Sequence, residues 1–364
     1  MVEQDKKGCL LCGCQKFKTV CQKFEHYLVR CSQCGLVYSW PPIPEDVLLQ
    51  RYTDDYLFQE YLPIFKADRR SFQLDLIQSH YSFFLHLLDN YSGSGRKILD
   101  IGCGPGFFLK AASQKGWQGE GVEISEAAVE YANRIVGVKV HLGKIEDVDF
   151  PPESFDVITL LDSLEHLMDP LRVLCKCYKI LKKRGFIIID TPDYQSFSRF
   201  ILGKDWAVLS PWEHLTNFSE KTLGLLLRKA GFIDFIIYNQ FRFNPENTHN
   251  KNNFRYRLWK RMHEKIGRTR LFNKWQTFNQ YELSQSLSIL RECETQGVNP
   301  DLEKSETLAQ KEISSRIAEE RRIINKSGED ERGRGKIKSK IRSFISNSIR
   351  SYIRGDSLLA IAKK

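Results

Sequence analysis

The stretch Lys97-Ile98-Leu99-Asp100-Ile101-Gly102-Cys103-Gly104-Pro105-Gly106 is an apolar strand running straight into a glycine-rich turn, and further on the chain reads Gly121-Val122-Glu123-Ile124. Glycines at a strand-to-helix turn allow positive φ and let backbone N–H groups come close to a ligand. The N-terminus of the helix expected from Phe107 favours an anionic group. An acid ending the second strand is where nucleotide-binding α/β folds hold ribose hydroxyls, and Glu123 falls there. The spacing D-x-G-x-G-x-G differs from the dinucleotide pattern G-x-G-x-x-G. A purely structural turn could share this composition, but strand, turn, helix, strand and acid arrive in the order that a nucleotide-bearing ligand requires.

Outward from that turn, strands are expected at 98–101, 119–123, 138–142, 155–161, 185–190 and 232–238. Helices are expected at 107–115, 126–136, 170–181 and 220–230. Such alternation implies a mainly parallel sheet covered by helices on both faces. The run 357–362 reads as a last strand with no helix after it. Before the core, 45–56 and 68–90 read as helices that cap the ligand site, the second with an apolar stripe at Phe72, Leu76, Tyr81, Phe84, Leu85 and Leu88. Residues 92–95 form a flexible lead-in.

Six of the ten cysteines lie in the first 34 residues. Cys9 and Cys12, then Cys31 and Cys34, form two C-x-x-C pairs separated by eighteen residues, a spacing that matches a tetrahedral zinc site. Gly13 and Gly35 directly follow a ligand, where the backbone must turn tightly. With four thiolates no position is left for water, so the zinc is expected to be structural. Residues 24–30 read as a short strand of a ribbon too small to fold on its own core. Cys14 and Cys21 remain as competing ligands, and six ordinary buried thiols are the alternative. Pro41, Pro42 and Pro44 end the ribbon.

A chain of 364 residues with 41% hydrophobic content suits one sizeable domain with appendages. No window approaches the roughly twenty apolar residues of a membrane span, and residues 1–8 are too polar for a signal peptide. The expected location is the cytoplasm.

The glycine turn with Glu123 resembles the first two motifs of class I S-adenosylmethionine (SAM) methyltransferases. The run from Phe155 to Pro170, containing Asp162, Glu165 and His166, resembles the fourth-strand segment of their ubiquinone-biosynthesis-like branch. Trp212-Glu213-His214-Leu215-Thr216-Asn217-Phe218-Ser219, with Ala230-Gly231-Phe232, is similar to the same branch. Together with the cysteine ribbon, the chain is similar to bacterial methyltransferases of surface-polysaccharide, modified-sugar and lipid-linked glycan pathways.

The resemblance implies a Rossmann-like, seven-stranded α/β sheet whose last strand inserts antiparallel beside the sixth. It also implies a cofactor site of Asp100, Gly102, Cys103, Gly104, Gly106, Glu123, Ile124, Ile145, Glu146 and Asp162. Ile145 and Glu146 flank adenine in this picture, although many relatives carry Asp where this chain has Lys144. Asp162 faces the sulfonium side.

Methyl transfer from a sulfonium needs positioning more than covalent catalysis. For a hydroxyl acceptor, His166 and His214, both at the C-terminal edge of the sheet, are candidate general bases; ordering of loops is their alternative role. Similar acid-x-x-Glu-His runs in ubiquinone-pathway relatives hold a divalent ion, so the resemblance also implies a candidate Mg²⁺ site at Asp162, Glu165 and His166, with helix capping as the other role for Glu165.

The expected organisation is a zinc-ribbon module at 1–40, a helical cap and lead-in at 41–95, the SAM-binding core at 96–240, a basic helical insertion at 241–355 and a final core strand at 356–364. The net charge of +10 concentrates in the insertion. Ile337, Ile341, Phe344, Ile345, Ile349, Tyr352 and Ile353 recur at helical spacing among basic residues, as do Phe254, Leu258, Trp259, Met262 and Ile266. Residues 337–353 are therefore expected to lie on the anionic inner face of a membrane, the alternative being packing against the core.

The expected function is O-methylation of a sugar, glycan or lipid-linked small-molecule acceptor. Zinc-containing RNA base methyltransferases share the basic charge and the ribbon, but Leu161-Asp162-Ser163-Leu164 lacks the Asn/Asp-Pro-Pro-aromatic motif that stacks a flipped base. Nucleic acid is thus the second choice. A non-catalytic SAM-binding protein is the third, disfavoured by the intact Asp100, Gly102, Gly104 and Glu123.

Overall fold

The computed structural model describes residues 8–23, 25–89, 93, 95–240 and 356–364. All belong to one of the two units into which the chain divides; the other, Glu264–Arg350, lies outside the described residues, as do both basic stripes of the insertion. Among the described residues no helix is long and apolar enough to cross a membrane.

Three strands build the N-terminal ribbon: β1 (Phe17–Lys23), β2 (His26–Cys31) and β3 (Val37–Trp40). The central sheet takes β4 (Lys97–Ile101), β5 (Gln118–Glu123), β6 (Lys139–Leu142), β7 (Phe155–Leu161) and β8 (Leu181–Pro192). A two-residue strand β9 (Thr216–Asn217) follows, then β10 (Asp234–Gln240) and β11 (Ser357–Lys363).

The seven-stranded sheet runs in the order β10-β11-β8-β7-β4-β5-β6, with β11 antiparallel to both neighbours and β4 to β8 parallel. This is the expected inserted last strand. Strands buried on both faces read as unbroken apolar runs, and β7 and β11 are buried along all but their last residue. Helices Phe107–Ser113, Pro170–Ile180 and Glu220–Ala230 pack as expected; the last is closed at its N-terminus by a Ser219/Thr222 capping box and at its C-terminus by Gly231.

The ribbon is more closely joined to the core than its sequence suggested. Its sheet has four strands, because β3 pairs with β9 of the core loop. Cys9, Leu11, Val29, Cys31, Cys34, Leu36 and Tyr38 share one hydrophobic cluster with Leu99, Ile158, Leu164 and Phe218. The ribbon therefore borrows the core that it lacks.

The cap departs from expectation. The region read as one helix over 45–56 holds a short helix Glu45–Leu49, and a π-helical turn Tyr56–Tyr61 follows. The stripe over 68–90 forms two helices, Leu74–His80 and Ser82–Asp89. Helix formation before residue 74 loses to a local competitor. The Asp68 carboxylate accepts from the N–H groups of Arg70 (2.8 Å) and Ser71 (2.9 Å) and from the Ser71 hydroxyl (3.1 Å), holding a turn instead.

Candidate active site

Three glycines shape the turn after β4. Gly102, Gly104 and Gly106 have φ of 70°, 52° and 74°, so each occupies the left-handed region that favours glycine. The space around them is also closed. A Cβ on Gly102 would lie 2.7 Å from Ser163 Cβ, one on Gly106 would collide with Val138, and one on Gly104 would press on the Tyr61 ring at 3.4 Å.

The turn is tied to the acid predicted to face it. Gly102 N–H donates to Val122 O at 2.9 Å, and Gly104 N–H donates to Glu123 Oε2 at 2.8 Å. The N–H groups of Ile124 and Ser125 donate to Glu123 Oε1 at 2.8 and 2.9 Å. Asp100, buried beneath, accepts from Thr159 Oγ1 at 2.6 Å. Burial, with Glu123 nearby, pushes the Asp100 carboxyl up to about 7; burial also raises Glu123, against the three backbone N–H groups that lower it. The Cys103 thiol is raised by burial and stays neutral.

Over this turn lies an aromatic row from the cap, with Tyr52 and Tyr56 rings 5.8 Å apart, Tyr56 and Tyr61 6.4 Å, and Tyr61 and Phe65 5.4 Å. Burial raises the hydroxyl pKa of Tyr52, Tyr56 and Tyr61, leaving neutral phenols near Glu123 and Asp100. Sequence reading missed this row because a π-helical turn has no 3.6-residue period to detect.

At the C-terminal end of β7, Asp162 is exposed with φ of 51°, its N–H donating to Asp190 O at 2.9 Å. Ser163 Oγ donates to Ile101 O at 2.8 Å, joining this edge to the glycine turn. Glu165, 2% exposed, accepts from Thr191 Oγ1 at 2.8 Å, and burial with the neighbouring Asp162 raises its pKa far above the usual carboxylate range.

His166 and His214 meet here, their rings 4.8 Å apart. His166 Nδ1 lies 2.6 Å from Glu213 O, and His214 Nδ1 lies 2.8 Å from Val208 O. A carbonyl can only accept, so each Nδ1 carries the proton and each Nε2 keeps its lone pair. Burial lowers the pKa of both rings, and together with the neighbouring His166 takes His214 down to about 3. Both rings are neutral near pH 7.

Residues 71–234 match the family described as Methyltransferase domain. The core is a class I SAM-dependent methyltransferase domain. Among curated relatives, a ubiquinone biosynthesis O-methyltransferase of Pseudomonas entomophila is 36% identical over 109 residues, 28% of this chain and 47% of the relative. One from Idiomarina loihiensis is 29% identical over 176 residues, 44% of this chain and 72% of the relative. The chain thus spans about half the length of the first of these. A solved SAM-dependent methyltransferase from Thermotoga maritima is 28% identical, covering 49% of this chain and 87% of that one with a TM-score of 0.38.

Within the methyltransferase domain, Ile145 is buried in the core and the Glu146 carbonyl accepts from Lys176 Nζ at 3.0 Å. Lys144 forms an ion pair with Glu45 of the cap, so the residue that departs from the common Asp ties the cap down. Leu142, which pairs with Glu123 across β5 and β6, is 54% exposed beside the acid. It escaped the sequence reading because a leucine at a strand end looks like core.

The Mg²⁺ expectation does not fit the donors. Glu165, His166 and His214 bring ligand atoms within 4.8 Å of one another, without Asp162. Two imidazoles and one carboxylate are a nitrogen-rich set, whereas Mg²⁺ demands oxygen ligands.

The four ribbon cysteines fit zinc. Cys9 and Cys34 sulfurs are 3.5 Å apart, as are those of Cys12 and Cys31, and all four lie within 4.8 Å of one another. A tetrahedron with Zn–S of about 2.3 Å places sulfurs about 3.8 Å apart. Gly13 and Gly35 have φ of 72° and 87°, as the knuckles require. Gln33 and Leu36 N–H groups donate to Cys31 and Cys34 sulfurs at 3.4 and 3.5 Å. Burial pushes Cys9 up to about 11; burial also raises Cys31, but hydrogen bonds from the Cys34 and Gln33 backbone bring it to about 6. Cys14 bonds instead with Lys16, and Cys21 packs near Trp206, so neither competes.

Proposed function

We propose that the protein transfers a methyl group from SAM to a hydroxyl of a small-molecule acceptor. The observation that carries this reading is the pair His166 and His214, each committed through Nδ1 to a carbonyl so that its Nε2 keeps a lone pair, with His166 Nε2 lying 3.9 Å from Glu165 Oε1. Two neutral proton acceptors suit an oxygen nucleophile that must lose its proton. The relatives named as O-methyltransferases support oxygen as the methylated atom. The resemblance to sugar and glycan pathways supports a sugar, glycan or lipid-linked acceptor.

Bound SAM supplies an electrophilic methyl group with a neutral thioether as leaving group. Glu123 would take the ribose hydroxyls, Ile124, Leu142 and the segment at Ile145 and Glu146 would flank adenine, and Asp100 with Asp162 would face the cationic end. Asp100, held near neutrality by burial, can ionise as a cation arrives. The imidazole of His166 would take the acceptor proton while the cap's phenols exclude water. The four cysteines would hold one structural zinc.

Calorimetry on the full chain tests the cofactor half: SAM binding collapses in Gly104→Val and weakens in Glu123→Ala. Unchanged binding in both overturns the reading. Isotopically labelled SAM with a panel of nucleotide sugars, lipid extracts and RNA then identifies the acceptor; label entering RNA bases would favour the nucleic-acid alternative. Peripheral membrane binding through residues 337–353 is part of the proposal, and flotation of Ile341→Asp/Ile345→Asp against wild type on anionic liposomes tests it.

A further inference from the structure

Residues 206–217 form the loop that delivers His214, and this loop is held from the ribbon side along its length. Lys23 Nζ donates to Trp206 O at 3.4 Å. The buried Ser39 donates twice, through Oγ to Pro211 O at 2.8 Å and through N–H to Leu215 O at 3.0 Å. Val37 and Tyr38 pair with Asn217 and Thr216. The His26 ring meets Trp212 edge-on at 4.3 Å, and Trp206 is buried with Leu28 and Val37.

The order of these contacts matters. Val208 O, which accepts from His214 Nδ1, lies between the ribbon-held carbonyls of Trp206 and Pro211; Glu213 O, which accepts from His166 Nδ1, lies between those of Pro211 and Leu215. The two carbonyls that choose the tautomers of both imidazoles therefore sit on a strip of backbone braced by the ribbon.

We propose that the zinc ribbon is the positioning device of the acceptor site, with Ser39 and His26 setting the placement and tautomer of His166 and His214 through residues 206–217. Metal binding orders β2 and β3, β3 orders the loop, and the loop presents two carbonyls that each demand an N–H. A proton on Nδ1 leaves Nε2 free for the acceptor. If the loop loosens, the rings can turn and the tautomers mix, and the proton-accepting atom is lost although no catalytic side chain has changed. The inference rests on the reading of the two histidines as acceptor-side groups, but its test reads the rings directly and does not need turnover.

The experiment uses the full-length protein, zinc-loaded and after chelation, with Ser39→Ala, Ser39→Thr and His26→Leu as variants. Nitrogen NMR of labelled histidines reports the tautomers, and amide exchange reports the loop. Expected are Nδ1–H forms for both rings in the loaded wild type and mixed tautomers in Ser39→Ala. Amide exchange across 208–217 should rise at least about tenfold, while exchange at 97–123 stays constant. Ser39→Thr, which keeps the hydroxyl, restores the wild-type pattern, and chelation of wild type reproduces the Ser39→Ala pattern. His26→Leu gives the same readout should Ser39→Ala fail to fold. Unchanged ring signals and loop exchange after chelation overturn the proposal, and so does exchange that rises equally at 97–123, which would make the ribbon a general support. Failure of SAM binding with these signatures intact would refute the proposed function and leave the brace standing.

Discussion

Around the glycine turn, the decisive hydrogen bond joins Gly104 to Glu123, 19 residues apart; around the histidines, His166 reaches Glu213 across 47 residues, and the loop it meets is held by Ser39 across 172 and Lys23 across 183. The proposed cofactor half is shaped mainly by one strand-turn-helix-strand unit, and the proposed acceptor half is assembled from three distant parts of the chain. A site built locally keeps its geometry when appendages change. A site built from distant parts can be retuned by any of them, which suits a scaffold whose cofactor is constant and whose acceptor varies.

The sharpest way to break this division is to remove a histidine. His166→Ala should lower the rate of methyl transfer by about 10²–10⁴-fold, the range for a lost general base. SAM affinity should stay unchanged, as measured by calorimetry beside steady-state kinetics. A matching loss of SAM affinity would show that the halves are not separable.

Next in size is Gly102→Val. Left-handed strain for a residue with a Cβ costs about 1–2 kcal/mol and overpacking about 1–3 kcal/mol, and here the added carbon meets Ser163 at 2.7 Å. Denaturant unfolding should show a loss of about 2–5 kcal/mol on those figures, with SAM binding lost as well.

Acidity separates the halves by sign. His214 falls to about 3 in the folded protein from 6.5, so the unfolded chain takes up a proton that the native state refuses. Its stabilising contribution is present above pH 6.5 and is lost as pH drops from there towards 3. Asp100 works the other way: raised from 3.8 to about 7, it contributes stability below 3.8 that is lost as pH rises through 7. Stability measured across pH should therefore have a shallower acid limb in His214→Gln, the remainder including His166, and a shallower decline near pH 7 in Asp100→Asn, the remainder including Asp356. Because burial also lowers His166, catalysis should decline on acidification only below the ordinary imidazole value of 6.5. An acid limb at or above that value would contradict the neutral rings.

The smallest effect concerns the link between cap and loop. Arg51 pairs with Glu213 at 3.0 Å and Glu60 at 3.3 Å while lying over the Tyr56 ring, but it is 36% exposed. Surface pairs contribute about 0.2–1 kcal/mol. Arg51→Ala should raise the acceptor KM by at most about fivefold, with a shift that shrinks in high salt.

Much of the geometry around the glycine turn and the cysteine knuckles was legible in the sequence because its signals are local. A glycine forced to positive φ, an acid at a strand end and two C-x-x-C pairs each report a conformation within a few residues of themselves. His166 and His214 could be assigned to the sheet's C-terminal edge for the same reason: each follows a recognisable strand. Their meeting could not be read, since it depends on β9, two residues long and without a period. Nor could the cap's broken helices, because the apolar stripe was present and the Asp68 turn won by hydrogen bonds that no stripe records.

The sequence by itself determined the α/β alternation, a last strand at 357–362, the glycine turn with Glu123 and the four-cysteine cluster, because backbone sterics and short-range ligand spacing act within single elements; the insertion of that strand beside the sixth came from the family resemblance. Tertiary structure alone decided that the ribbon extends its sheet through the core loop, that Glu213 and Val208 carbonyls face the two imidazoles, and that Tyr61 closes on Gly104. Those outcomes follow from which surfaces bury each other and which buried polar atoms must find partners, and a linear chain does not state that until it is packed.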